Sequence, residues 1–370
     1  PAARVQTTIE LLDQMLEGTA PEKVLTGWAR KSRFAGAKDR AAIRSFFFDA
    51  LRCKRSYAAY GGALTGRGLM LGLLKDQQID PKTLFTGQGY GPSELTPDEG
   101  VGTVSLSRAE QLDLPDWLLP VFDGSLGDDA DANATALRHR APVMLRANLL
   151  KGSRDAALKA LAFEQIIAQA HPLASTAIEV IEGGRKVAGS ATFQAGLVEL
   201  QDVASQAVVE TLALRKGQRI LDYCAGGGGK ALALAALADS AVDAWDSDAA
   251  RMQDIAKRAE RAGADITCLT EKPSGQYDIV LCDVPCSGSG AWRRAPQGKW
   301  LLTSERLTQL ENVQGDILQQ AARLVSPGGV LVYTTCSLLA QENMDQLAQF
   351  TQAPPGWRCD YSREFLPMEG

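Results

Sequence analysis

From Gly217 to the end of the chain, short apolar runs alternate with stretches of helical periodicity. Arg219–Tyr223 precedes Lys230–Leu237, Val242–Trp245 precedes Ala249–Ala262, Tyr277–Cys282 precedes Ser304–Leu324, and Val330–Thr334 precedes Gln341–Phe350. Runs of this length, each followed by a helix, predict α/β architecture with a parallel, doubly wound sheet covered on both faces. In such sheets ligands bind beyond the carboxyl ends of the strands, near the point where strand order reverses. The chain has 370 residues, 45% of them hydrophobic and 22% charged, enough for two to three domains and unlike a disordered or fibrous chain.

The remainder is built differently. Residues 3–75 show helical spacing, with Val5, Ile9, Leu12 and Met15 on one stripe and Ile43, Phe47 and Leu51 on another. Gly87–Pro97 reads as a loop, Pro115–Leu119 opens a short helix, and the acidic, small-residue stretch 123–133 marks a domain boundary. Alternation at 143–148 and 177–180 predicts strands around a helix at about 153–163, a small α+β module. The expected domains are therefore 1–130, all helical; 131–205, α+β; and 206–370, doubly wound.

No stretch approaches the roughly 20 apolar residues of a membrane span, and the first residues carry no apolar signal region. Seven scattered cysteines without CxxC spacing read as cytosolic thiols, so a cytoplasmic protein with no membrane partner is expected. Two histidines make a histidine-based metal site or a Ser-His-Asp triad a poor reading, and no metal is expected. A net charge of −5 argues against a chain that coats itself in nucleic acid, but the charge is unevenly placed. Nine Lys/Arg face two acids between Arg30 and Arg55, and five face none between Arg138 and Arg154. Such stripes suit a polyanion held at a few phosphates, or ordinary solvated helix faces.

Two groups of residues carry the chemistry. Ile220-Leu-Asp-Tyr-Cys-Ala-Gly-Gly-Gly-Gly-Lys230 is a strand running through four glycines into a helix, so backbone N–H groups stand open to a ligand. The spacing is neither a P-loop nor strict GxGxxG. Asp246 follows 20 residues after Gly226, where a carboxylate can hold a ribose diol or simply cap the next helix. The second group is a pair of cysteines, Cys286 in Asp283-Val-Pro-Cys-Ser-Gly-Ser-Gly290 and Cys336 in Thr335-Cys-Ser337, each just after a predicted strand. Both would reach the same rim, as a nucleophile with lowered pKa or as buried structural thiols.

These motifs, together with Arg293-Arg-Ala-Pro296, Lys299-Trp300 and Gln201–Gln206, resemble the RNA cytosine-5 methyltransferases of the RsmB/Sun (Fmu) type within the RsmB/Nop2/Sun family. Asp39–Ile43 and Leu51-Arg52 extend the resemblance to a NusB-type helical RNA-binding domain. The resemblance implies a class I S-adenosylmethionine-dependent fold, Rossmann-like, with the helical domain and the small RNA-binding module before it. It implies methyl transfer to C5 of an RNA cytosine, most often in 16S ribosomal RNA, with rRNA as partner and a monomeric enzyme. Cys336 would attack C6, Cys286 would help release the product, and Asp283 would hydrogen-bond the base. Cys224, Ala225, Gly226, Gly227, Gly228, Lys230, Asp246, Arg251 and Asp283 would line the cofactor. Arg293, Arg294, Lys299, Trp300 and Arg146 would contact RNA through charge and an aromatic face. The chain departs from the family at Gly226-Gly227, where Ala-Pro is usual, at Ala231, and at 269–272, where a third acid is expected. A DNA cytosine-5 methyltransferase, which would use the Pro-Cys thiol alone, and an inactive RNA-binding assembly factor are the rival readings.

Overall fold

A computed structural model describes residues 1–99, 104–352 and 356–369. The chain forms two compact units, Pro1–Arg140 with Ser289–Leu302, and Ala141–Gly288 with Thr303–Gly370.

The first unit is helical. Helices α1 (Ala2–Leu16), α2 (Pro21–Lys31), α3 (Ala37–Arg52), α4 (Lys54–Gly61) and α5 (Gly66–Asp76) bury their apolar stripes in one core around Leu12, Phe47, Leu69, Met70 and Leu73. The spacing of Val5, Ile9 and Leu12 puts all three on the inward face of α1, where each is at most 7% exposed. Gly72 lets α5 lie against α4, because a Cβ there would sit 2.1 Å from the Tyr57 carbonyl. The acidic 123–133 stretch is largely helical: α6 (Leu119–Leu126) and α7 (Ala130–Leu137) flank a single turn, and the division between units falls after Arg140. The loop at 87–97 is irregular, as its glycines and prolines imply.

The second unit holds two sheets. Strands β1 (Val143–Ala147), β2 (Ile167–Ala170), β3 (Ala177–Glu182) and β4 (Val198–Leu200) form an antiparallel sheet of order β2-β3-β1-β4, with α8 (Arg154–Phe163) packed on Leu145, Ile178 and Val180. The second sheet is parallel: β5 (Ile220–Asp222), β6 (Val242–Ala244), β7 (Ile266–Cys268), β8 (Tyr277–Asp283) and β9 (Val325–Thr334), in the order β7-β6-β5-β8-β9. Helices α9 (Val203–Glu210), α10 (Gly229–Ala238), α11 (Ile255–Ala262), α12 (Ser304–Ala322) and α13 (Met344–Gln352) accompany it. The alternation in the sequence is thus a doubly wound sheet whose order reverses between β5 and β8. Three details differ from the sequence reading. Strand β7 gives no apolar run because it is a three-residue edge strand with Thr267 exposed. Strand β9 starts at Val325 and crosses Pro327-Gly328-Gly329 with a shift in register. The 249–262 helix is a 3₁₀ turn followed by α11.

The two sheets are joined by polar contacts within the unit. The Asn148 side-chain amide donates to the Gly196 and Ala262 carbonyls at 2.9 and 2.7 Å. Glu199 on β4 pairs with Arg261 of α11 at 2.6 Å.

Candidate functional site

The glycine loop leaves β5 at Asp222 and enters α10 at Gly229, at the point of strand reversal. Gly226 and Gly228 have φ of +50° and +79°, values that residues with a Cβ rarely adopt. The chain's Gly226-Gly227 variant therefore supplies one of the two left-handed positions. At Gly228 a Cβ would also lie 2.9 Å from Ile255. Asp246, 5% exposed just past β6, holds this loop. Its carboxylate accepts from Gly226 N at 2.9 Å, Asp248 N at 3.0 Å and Arg251 Nη1 at 3.0 Å. Arg251 thus lies across Gly226 and is half exposed, while Arg258 donates to the Gly227 carbonyl. The helix-capping acid is Asp248, which accepts from Ala250 N.

Lys230, at the start of α10, is buried and reaches Asp283 at the end of β8, Nζ to Oδ2 2.7 Å. Burial alone would pull its pKa down; the Asp283 charge and hydrogen bond more than offset this and hold it up. Thr334, at the end of β9, donates to the other Asp283 oxygen at 3.0 Å. The carboxylate is thereby fixed from two elements.

The two thiols meet. Parallel pairing sets Asp283 opposite Thr334, so the loops that follow run side by side and Cys286 Sγ lies 3.4 Å from Cys336 Sγ. Cys336 is exposed and its pKa is lowered, chiefly by the hydrogen bond from Cys286 and further by the Lys230 charge, against the opposing effect of burial. Cys286 moves the other way, raised by the same hydrogen bond and by burial, so it keeps the proton. Burial raises Cys224 to about 12, and Cys282 is a fully buried thiol also pushed up. A thiolate at this rim therefore forms first at Cys336.

Sequence reasoning missed two groups. Asp222, 1% exposed beneath the glycine loop, has its pKa raised to about 7 by burial and by the Asp283 charge. Neither of its oxygens has a partner in hydrogen-bond geometry. Glu342, 0% exposed, takes hydrogen bonds from residues beside both thiols. Asp222 was visible only as the last residue of a strand, and Glu342 as an acid six positions beyond Cys336.

The expected RNA contacts need correction. Lys299 is 1% exposed; its ammonium donates to the Arg52 carbonyl at 2.9 Å and burial pulls its pKa down to about 8. Trp300 donates its indole N–H to the Leu51 carbonyl at 2.7 Å and carries Lys54 and Lys299 over its ring. Both side chains anchor the 289–302 segment inside the helical unit, and Lys299, being buried, presents no charge to a nucleic acid. Arg293 donates to the Arg140 carbonyl at 3.3 Å, and Arg294 is the exposed member of the set. Arg146 is 3% exposed on β1, opposite Glu199, and its pKa is lowered to about 10 by burial. Of the other basic residues in 138–154, Arg138 pairs with fully buried Asp113 at 2.9 Å and half-buried Arg154 bonds backbone carbonyls, while Arg140 and Lys151 are exposed. Among the described residues no His/Cys/Asp/Glu group is placed to hold a metal ion, and no helix is long and apolar enough to cross a membrane.

Residues 209–365 match the family model described as 16S rRNA methyltransferase RsmB/F. Residues 114–187 match the ferredoxin-like domain of RsmF/B-like methyltransferases. The chain is similar to Ribosomal RNA small subunit methyltransferase B of Cronobacter sakazakii, 34% identical over 255 residues, 66% of this chain and 59% of that protein. It is also similar to the protein of the same name from Proteus mirabilis, 32% identical over 264 residues, 69% of this chain and 62% of that one. The chain thus spans about three fifths of the length of the curated relatives it matches. Among solved structures it resembles PH0851, with a TM-score of 0.75 at 21% identity over 100% of this chain and 96% of that one. It also resembles a methyltransferase homolog protein from Pyrococcus horikoshii, with a TM-score of 0.59 at 24% identity over 66% of this chain and 81% of that one. Those two likenesses speak for the fold.

Proposed function

Because this chain belongs to the RsmB/F methyltransferase family, we propose that it transfers a methyl group from S-adenosylmethionine to C5 of a cytosine in RNA. Small-subunit ribosomal RNA is the substrate the family points to, and the cytoplasm is where such an RNA is met. The observation that carries the reading is the pair of thiols 3.4 Å apart, one inclined to ionise and the other to keep its proton.

Cytosine C5 is a poor nucleophile. In the proposed sequence Cys336 adds as thiolate to C6, which makes C5 enamine-like. S-adenosylmethionine supplies the methyl group as an electrophilic sulfonium. C5 takes that group as the sulfonium S–CH3 bond breaks and S-adenosylhomocysteine leaves, a base removes the C5 proton, and the Cys336–C6 bond breaks to return the thiolate. Cys286 assists this last step. In this reading Asp283, held by Lys230 and Thr334, hydrogen-bonds the pyrimidine edge. A base inside a duplex is beyond reach of C6 attack, so the target must be flipped out or already single-stranded.

The residues around the glycine loop fit the cofactor. Two left-handed glycines hold the turn, with Gly227 between them its exposed member, and in this reading Asp246 is the carboxylate that accepts from a ribose diol once Arg251 swings aside.

The test is transfer of tritiated methyl to unmodified small-subunit rRNA. Cys336→Ala should abolish turnover, and Cys286→Ala should accumulate RNA covalently attached to protein, seen as a denaturation-resistant band. Turnover retained in Cys336→Ala would overturn the assignment. A DNA-type enzyme would show the reverse dependence on the two cysteines. An inactive assembly factor would bind no cofactor in calorimetry.

A further inference from the structure

The loops bearing Cys286 and Cys336 have no regular structure of their own over 284–288 and 335–339. Strand pairing ends with the bond from Val284 N to the Thr334 carbonyl at 3.0 Å. Beyond it, one side chain spans both loops. Glu342 Oε1 accepts from Ser287 N at 2.7 Å and from Gln314 Nε2 at 2.9 Å. Its Oε2 accepts from the hydroxyls of Ser287 and Ser337. A carboxylate offers about four lone-pair sites, and here each is taken, with no ion-pair partner among the described residues. Ser287 and Ser337 each directly follow one of the two cysteines.

The surroundings make the arrangement stiff. Gln314, fully buried on α12, also donates to the Pro285 carbonyl at 3.0 Å. Tyr333 donates to the Glu342 carbonyl at 2.6 Å. Next door, Asn343 accepts from Thr335 Oγ1 at 2.6 Å and donates to the Ser337 carbonyl at 3.0 Å. A fully satisfied buried network of this kind fixes a unique geometry, and removing its central acceptor leaves several donors unpaired at once.

A buried charge with no cation beside two thiols has a cost. Its negative potential works against ionisation of both Cys286 and Cys336. A neutral residue at 342 would spare the thiols that opposition, so the carboxylate is explained by what it holds.

We infer that Glu342 is a positioning residue that clamps the Cys286 and Cys336 loops to one another through Ser287 and Ser337, setting the separation of the two thiols. It touches no reacting atom. Its consequence for catalysis rests on the methyl-transfer reading, but the clamp itself does not.

The experiment is disulfide trapping with diamide, which accepts two electrons and two protons as two thiols join, in full-length protein without RNA or cofactor. The Cys286–Cys336 link is quantified by mass spectrometry after digestion. The parent should cross-link readily, and Glu342→Gln should do so at least tenfold more slowly while far-UV circular dichroism is unchanged. Equal rates would overturn the inference. Should Glu342→Gln fail to fold, the Ser287→Ala/Ser337→Ala double variant, which removes the hydroxyl donors and spares the acid, decides it by the same comparison. In methyl transfer, Glu342→Gln should lower kcat tenfold or more with KM for S-adenosylmethionine unchanged. An unchanged kcat would refute positioning. A parent that cross-links readily yet transfers no methyl group would sink the methyl-transfer reading alone.

Discussion

The glycine-loop end of the parallel sheet and the thiol end lie on the same edge, yet they are held by different means. After β5 and β6 the chain is shaped by its backbone: left-handed glycines, and a single carboxylate, Asp246, accepting from two main-chain N–H groups. After β8 and β9 it is shaped by side chains, with Glu342, Gln314 and Asn343 bonding to loops that have no regular structure and Thr334 to Asp283 at the end of β8. Backbone geometry tolerates a ligand that presses on it, which suits a cofactor cradle. Side-chain networks fix distances between reactive atoms, which suits two thiols. Lys230 joins the two ends by reaching from the first turn of α10 to Asp283.

The contrast can be broken at several points. The largest expected effect belongs to Asp222, the buried acid beneath the glycine loop. Its carboxyl is raised from 3.8 to about 7, so between those values the folded protein holds a proton that the unfolded chain has released. Stability should then fall as pH rises through that window, by about 1.4 kcal/mol per unit. Asp222→Asn cannot titrate. Urea unfolding at pH 4 and pH 8 should show the difference between variant and parent swinging by about 4 kcal/mol in the variant's favour. A pH-independent difference would mean that the carboxyl ionises normally.

Lys230→Met cuts the link between the ends. It leaves Asp283 without its cation, and with that carboxylate about one third exposed the loss should be about 3 kcal/mol in urea unfolding. The same variant should raise the pH midpoint for alkylation of Cys336, because the Lys230 charge helps lower that thiol.

Gly228→Ala tests the backbone side alone. A left-handed φ and a Cβ 2.9 Å from Ile255 should cost about 2 kcal/mol. S-adenosylmethionine binding measured by calorimetry should weaken, while diamide cross-linking of the thiols should not change. The smallest effect is expected from Thr334→Val, which removes one hydrogen bond to Asp283. About 1 kcal/mol in thermal unfolding is anticipated, with kcat reduced and cofactor affinity untouched.

Much of the sheet was legible because its signals are local. A buried parallel strand is an unbroken apolar run, and β5, β6 and β8 were found within a residue or two of their ends. The edge strand β7 escaped because a short, half-exposed strand carries no such run. The two reactive cysteines could be placed on one rim because each follows a strand of the same sheet. Residue spacing by itself did not divide their roles; the family resemblance did, and the physical difference between them depends on which sulfur donates and on how near Lys230 stands. The basic residues misled for a related reason. Charge in a sequence suggests solvent, but Lys299 and Arg138 spend donors on a backbone carbonyl and a buried acid, and Arg146 is buried on β1. No periodicity distinguishes a buried lysine from an exposed one.

Sequence alone determined the alternation of strands and helices, the turn that favours glycine, and the presence of a cysteine after each of two neighbouring strands. These follow from backbone sterics and from the period of apolar residues, which act over a few positions. The tertiary structure alone decided that a glutamate, a glutamine and two serines from three separate segments converge behind those sulfurs, and that a lysine 53 positions upstream neutralises Asp283. Hydrogen bonds and charge reach across space rather than along the chain, so their partners are chosen only once the sheet has closed.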